Sequence, residues 1–166
     1  MMNLPIGAHI LGIDPGMEGG IAELDDTGKV VQVLPMPLTG KELDVDTIIG
    51  IVHGLPEGSR VFVERVGSMP KQGVASSFHF GYSTGMLHGV IRSARVPLEL
   101  VGPVQWQKCG PGATGGDKRI TATWAARSFP GTQLVLPRCR KVHEGIADAL
   151  GIAWFGILKW GREVRT

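Results

Sequence analysis

Residues 143–153, His-Glu-Gly-Ile-Ala-Asp-Ala-Leu-Gly-Ile-Ala, restrict the possible folds more than any other stretch of the chain. Glu144 and Asp148 are four apart, so on a helix they project from one face, a turn from each other. Ile146, Ala147, Ala149, Leu150, Ile152 and Ala153 surround them, so this turn is expected to be buried. Two like charges at that spacing destabilise an isolated helix by about a few tenths of a kcal/mol. A buried anionic pair needs compensating charge, and a divalent cation is the simplest source. The rest of the fold is therefore expected to bring further carboxylates to this helix.

Two upstream segments can do so. Residues 9–14 (His-Ile-Leu-Gly-Ile-Asp) and 60–64 (Arg-Val-Phe-Val-Glu) read as buried strands, and each ends in an acid, Asp14 and Glu64. After the first, Pro15-Gly16 and Gly19-Gly20 turn the chain into a strand at 21–24. Asp25-Asp26-Thr27-Gly28 makes a hairpin into a third strand at 30–34, and Pro35 and Pro37 end it. Asp44 or Asp46 caps a helix reaching His53, with Val45, Ile48, Ile49 and Val52 at helical spacing. Beyond the second acid-ended strand, Gly67–Gly73 is a loop, and Ser76 or Ser77 starts a helix to Arg92. Residues 96–101 form a fifth strand, 110–116 a glycine-rich mobile loop, 118–127 a helix, and 143–158 the last helix.

A meander followed by strand–helix alternation predicts an α/β fold. Its five-stranded mixed sheet has three antiparallel strands plus two parallel ones, flanked by helices. In such sheets, sites collect at strand ends, where Asp14 and Glu64 stand. The middle helix carries Gly81, Gly85 and Gly89 at four-residue spacing, each costing about 1 kcal/mol relative to Ala. Close approach to the sheet is the first explanation for that smooth stripe, and a helix–helix contact in a dimer the second.

A chain of 166 residues with 43% hydrophobic and 19% charged residues fits one domain, residues 1–166, with a real core. No apolar run approaches the roughly 18–20 residues of a membrane span, and no export signal is expected. Cys109 and Cys139 suit a reducing compartment, so a cytoplasmic location, in a bacterium or a phage-infected cell, is expected. Cys139 and His143 are C-x3-H spaced, but two ligands do not make a zinc site. The net charge is only +2, yet Lys108, Lys118, Arg119, Arg127, Arg138, Arg140 and Lys141 all lie within 105–145. Such clustering suits either a solvated face or an anionic partner.

Asp14, Glu64, Glu144 and Asp148 together suit Mg²⁺ or Mn²⁺, which take hard oxygen ligands. Two such ions about 3.5–4 Å apart activate water and stabilise the leaving oxygen in phosphodiester hydrolysis. Singly, each acid has another explanation: strand-end acids cap turns, and Glu144 favours a helix N-terminus.

The Gly-Ile-Asp-Pro-Gly of residues 12–16, the Val-Glu-Arg of 63–65 and the Ala-Asp-Ala-Leu of 147–150 resemble RuvC-type Holliday-junction resolvases, of the RNase H-like nuclease superfamily. Residues 69–73 (Met-Pro-Lys-Gln-Gly) and 77–81 (Ser-Phe-His-Phe-Gly) are similar to the phage and prophage branch. Pro103-x-x-Trp106-x-Lys108 and Gly116-Asp117-Lys118-Arg119 extend the likeness over nearly the whole chain.

That resemblance implies a catalytic and metal-binding tetrad of Asp14, Glu64, Glu144 and Asp148 holding two Mg²⁺ ions, with Mn²⁺ able to substitute. One departure matters: bacterial members place the third ligand three residues before the last Asp, where this chain has Gly145. Glu144 stands four before, with His143 as rival ligand, water-orienting group or plain helix-start histidine. The resemblance further implies a homodimer that nicks two strands of a four-way junction symmetrically, leaving 5′-phosphate and 3′-hydroxyl ends; whether a branch-migration motor assists is open.

Lys108 and Lys118 match family positions that contact DNA, and Arg119, Arg138, Arg140 and Lys141 are candidate phosphate contacts. Lys71, Gln72, Phe78 and Tyr82 are the candidates for reaching the junction centre, where an aromatic stacks on an opened base; Phe80 is expected in the core. The rivals are a nuclease of flaps, forks or RNA/DNA hybrids, and a junction-binding protein without catalysis. The phosphate loop of actin-like ATPases also resembles residues 12–20, but that fold needs a second similar domain.

Overall fold

The computed structural model describes residues 5–67 and 73–163, the last three of these by backbone alone. The chain runs β1 (Ile10–Asp14), β2 (Gly20–Leu24), β3 (Val30–Pro35), β4 (Leu38–Thr39), β5 (Glu42–Leu43), α1 (Val45–His53), β6 (Arg60–Glu64), α2 (Val74–Ser93), β7 (Leu98–Val101), α3 (Pro103–Gln107), α4 (Lys118–Ser128) and α5 (Glu144–Glu163). The main sheet has the order β3-β2-β1-β6-β7. β1, β2 and β3 are the antiparallel meander, and β6 and β7 add parallel to β1. This is the five-stranded mixed sheet expected from the sequence.

Side chains alternate across the sheet. On one face Ile10 and Phe62 pack against Leu150, Ala153 and Ile157 of α5. On the other Leu11, Ile13, Val61 and Val63 meet Ile48 and Val52 of α1 and Leu87 and Ile91 of α2. Both faces are covered, which is why β1 and β6 read as continuous apolar runs rather than alternating ones.

Glycines let α5 lie backbone-to-backbone on the sheet. A Cβ added at Gly12 would stand 2.3 Å from the Ala149 carbonyl oxygen and 2.4 Å from the Ala153 nitrogen. One at Gly145 would stand 2.3 Å from the Glu18 carbonyl oxygen, and one at Gly20 2.7 Å from the Gly145 carbonyl. A bridge between Gly19 and Gly145 fixes the start of the helix against the β1–β2 turn.

Several expectations are refined. Asp44, not Asp46, caps α1, its Oδ1 accepting from the Thr47 N–H at 3.1 Å. α2 begins at Val74, two residues before Ser76. Its glycine stripe does not approach the sheet: a Cβ at Gly81, Gly85 or Gly89 meets nothing within 4 Å. The first explanation of the stripe is therefore overturned, since α2 turns Leu87 and Ile91 inward instead. The β4–β5 hairpin and α3 are too short for their period to be legible in sequence. α3 starts on Pro103, with the Gly102 N–H donating to Gln105 Oε1 at 2.8 Å. No helix among the described residues is long and apolar enough to cross a membrane.

Candidate active site

Asp14 and Glu64 end neighbouring parallel strands whose register pairs Gly12 with Phe62 and Ile13 with Val63. Period-2 alternation puts both acids on the face that carries Phe62, the face under α5. Asp148 comes to them on the first turns of α5. The expected buried pair is only half realised: the Asp148 side chain is 15% exposed, but that of Glu144 is 57% exposed.

A cation stands among these acids. Lys118, the first residue of α4, places Nζ 3.5 Å from Glu144 Oε2 and 3.9 Å from Asp148 Oδ2. Its charge also acts on Asp14 and Glu64. Among the described residues, no three His, Cys, Asp or Glu side chains are gathered tightly enough to ligate one ion as they stand.

The electrostatics report one crowded anionic site. Burial, then the charges of Asp148 and Glu64, push the Asp14 carboxyl up from 3.8 to about 7, against the pull of Lys118. Burial likewise pushes Asp148 up to about 6; Lys118 opposes it, Glu64 and Glu144 reinforce it, and a hydrogen bond from Thr121 lowers it. Glu64 is raised by burial in spite of the Trp106 hydrogen bond and Lys118. Burial alone would lower Lys118, yet Asp148, Glu144 and Asp14 together hold it above its usual value. Half-buried hard oxygen donors that repel one another around an ammonium form a donor set that suits a divalent cation.

Two residues without an assigned role in the sequence hold the acids in place. Trp106 is buried, and its indole N–H donates to Glu64 Oε1 at 2.9 Å. Its ring lies against α5, where a Cβ at Gly151 would meet it at 2.6 Å. Thr121, buried on α4, donates to Asp148. Both belong to elements distant from their acids in sequence, so the Pro103-x-x-Trp106-x-Lys108 motif marked Trp106 without showing its partner, and nothing marked Thr121.

The other candidates separate clearly. His143 caps α5: the Ile146 N–H donates to its Nδ1 at 3.2 Å, as a helix-start histidine would accept it. Arg119 is bound to Asp117, its Nη2 2.7 Å from Oδ2, so that guanidinium already has an anionic partner. Lys108 is exposed after α3. Arg138, Arg140 and Lys141 are exposed in the loop closed by the Val135–Val142 bridge, immediately before α5. Phe78 and Tyr82 are 69% and 55% exposed on α2, with rings stacked at 6.4 Å. With the half-buried Phe80 they line a groove of about 690 Å³ beside Pro15, Gly16 and Met17. Lys71 and Gln72 lie outside the described residues.

No protein-family profile and no curated protein sequence matches the chain. Solved structures do. Thermus thermophilus RuvC in complex with Holliday junction substrate superposes with a TM-score of 0.63 at 20% identity, over 92% of this chain and 95% of that one. A second Thermus thermophilus RuvC structure gives 0.60 at 20% identity, over 95% and 97%. With its five-stranded mixed sheet, central β1 and overlying α5, the chain has the RNase H-like fold of the RuvC resolvases.

Proposed function

We propose that this protein is a metal-dependent endodeoxyribonuclease that resolves four-way DNA junctions as a homodimer. The observation carrying this reading is the convergence of Asp14, Glu64, Glu144 and Asp148 around Lys118 at one end of a sheet shared with a junction-bound RuvC. Two Mg²⁺ ions, or Mn²⁺ in their place, would supply the activation of water and the charge stabilisation at the leaving oxygen that phosphodiester hydrolysis needs. Asp14, Glu64 and Asp148, with Glu144 at the open rim, would hold them.

The chain's own residues do the rest. Trp106 ties one oxygen of Glu64 through its indole N–H and so fixes that carboxylate. The Thr121 hydrogen bond does the same for Asp148. His143 sets the first turn of α5 and so the aim of Glu144. Arg138, Arg140, Lys141 and Lys108 supply phosphate contacts that position the duplex without reading its sequence. Phe78 and Tyr82 offer stacking faces for an unpaired base at the junction. The open glycine stripe of α2, which no part of the described chain covers, supplies the face on which two copies mate. A dimer then presents two sites for paired nicks with 5′-phosphate and 3′-hydroxyl ends.

The test compares a mobile four-way junction with fork, flap and RNA/DNA hybrid substrates in Mg²⁺. Preferred, symmetric cleavage of the junction is expected, with Asp14→Asn losing cleavage by at least about 10³-fold while junction binding survives. Equal cleavage of flaps or forks points to broader branched-DNA specificity. No metal-dependent cleavage of any substrate sinks the enzyme reading.

A further inference from the structure

We propose that the Lys118 ammonium is a built-in counter-ion that holds the place of a divalent cation among the four acids and is released toward the DNA backbone when metal binds. The proposal rests on the metal-centre reading above and adds what happens at that centre before metal arrives.

Lys118 sits where a lysine is disfavoured, at the N-terminus of α4, the positive end of the helix dipole. Its neighbour Arg119 is neutralised there by the capping Asp117. Lys118 instead turns to Glu144 and Asp148, and its charge acts on Asp14 and Glu64 as well. It thereby offsets repulsion that burial strengthens. Its seat is fixed, because Thr121 and Ala125 are buried beneath it on α4 and Thr121 is bonded to Asp148. The side chain itself is free to move: it is 57% exposed, as is that of Glu144, so the ammonium can swing outward without repacking the core.

One group thus takes two partners in turn. With the acids bare, Lys118 neutralises them; with the acids on metal, it repels the ion and is available to phosphate. Metal binding and DNA binding then favour each other, and by linkage each strengthens the other by the same factor. Removing Lys118 should have opposite effects on the two ligands, tightening metal and weakening DNA.

The experiment titrates Mn²⁺ into the full-length, DNA-free protein at pH 8, reading free ion by electron paramagnetic resonance. Lys118→Gln is expected to bind Mn²⁺ about five- to tenfold more tightly than wild type, as removal of one partly exposed opposing charge implies. Lys118→Arg and Lys108→Gln should stay within about twofold of wild type. Unchanged or weaker affinity in Lys118→Gln overturns the proposal. A second readout uses wild type alone, so it holds even if the variant folds poorly. In pulse acetylation followed by mass spectrometry, saturating Mg²⁺ should speed modification of Lys118 and leave Lys108 unchanged. An unchanged or slower Lys118 overturns the proposal. If wild type and Lys118→Gln alike bind no Mn²⁺, the metal-centre reading falls and takes the proposal with it, a result distinct from equal binding by both.

Discussion

At the scale of single residues, the site stores repulsion that a bound divalent cation would relieve. Asp14 and Asp148 titrate near 7 and 6 in the folded protein, against 3.8 ordinarily. Their folded values are raised, so their contribution to stability is fully present below about pH 4. It is lost as the pH climbs toward 7, because the unfolded chain releases these protons first. The metal-free protein should therefore be less favoured at pH 8 than at pH 5 by this contribution, and a cation that neutralises the acids should restore it. Saturating Mg²⁺ is expected to raise the melting temperature more at pH 8 than at pH 5; equal shifts in a scanning-calorimetry series would count against the carboxylates as its site. Asp14 and Glu64 were legible in the sequence because an acid ending an apolar strand is locally conspicuous. Lys118 was legible as a basic residue at a DNA-contacting position and Trp106 as part of a motif, but neither as a partner of the acids, and Thr121 had no signal of its own. Their roles arise from three elements meeting in space, which no local window contains.

At the scale of elements, the decisive contact is α5 on β1 and β2. Asp148 reaches the strand ends because Gly12, Gly20 and Gly145 leave no side chain between helix and sheet. Gly145→Ala should force the helix start off the β1–β2 turn, costing about 1–3 kcal/mol as overpacking does, with a lower urea midpoint and loss of cleavage. Gly85 is the contrast, since a side chain there meets nothing in the described chain. Gly85→Leu should improve the helix by about 0.8 kcal/mol, yet weaken self-association in sedimentation equilibrium. Undiminished self-association would remove the glycine stripe from the dimer face. Both sets of glycines were visible as a pattern, but spacing alone did not say which faced the sheet. The α2 stripe looked like the closer packer, and the α5 and β1 glycines, at irregular spacing, proved to be. The cores on either side decide it, because Leu87 and Ile91 occupy the inward face of α2.

At the scale of the molecule, a net charge of +2 hides a strong asymmetry. Two segments of the basic stretch of residues 105–145 reach the acid site, α3 supplying Trp106 to Glu64 and α4 supplying Lys118, and the 136–141 loop leads into α5. The make-up of the sheet, a meander plus two parallel strands, was readable in advance because a meander followed by strand–helix alternation leaves few arrangements; which of the strands lie side by side was not. The approach of α3 and α4 to the site was not readable, since it depends on how irregular segments cross the end of the sheet. The exposed basic loop before α5 sets a measurable quantity. If Arg138, Arg140 and Lys141 each neutralise a phosphate, replacing all three by Ala should make the slope of log K against log salt shallower by about 2–3. The loss should be similar for junction and plain duplex, because phosphate contacts carry no sequence or branch information. Cleavage of DNA already bound at low salt should survive, since none of the three is among the acids or their hydrogen-bond partners. A slope unchanged from wild type would move the DNA path off this loop and onto the α2 side, where Phe78 and Tyr82 remain exposed beside the groove.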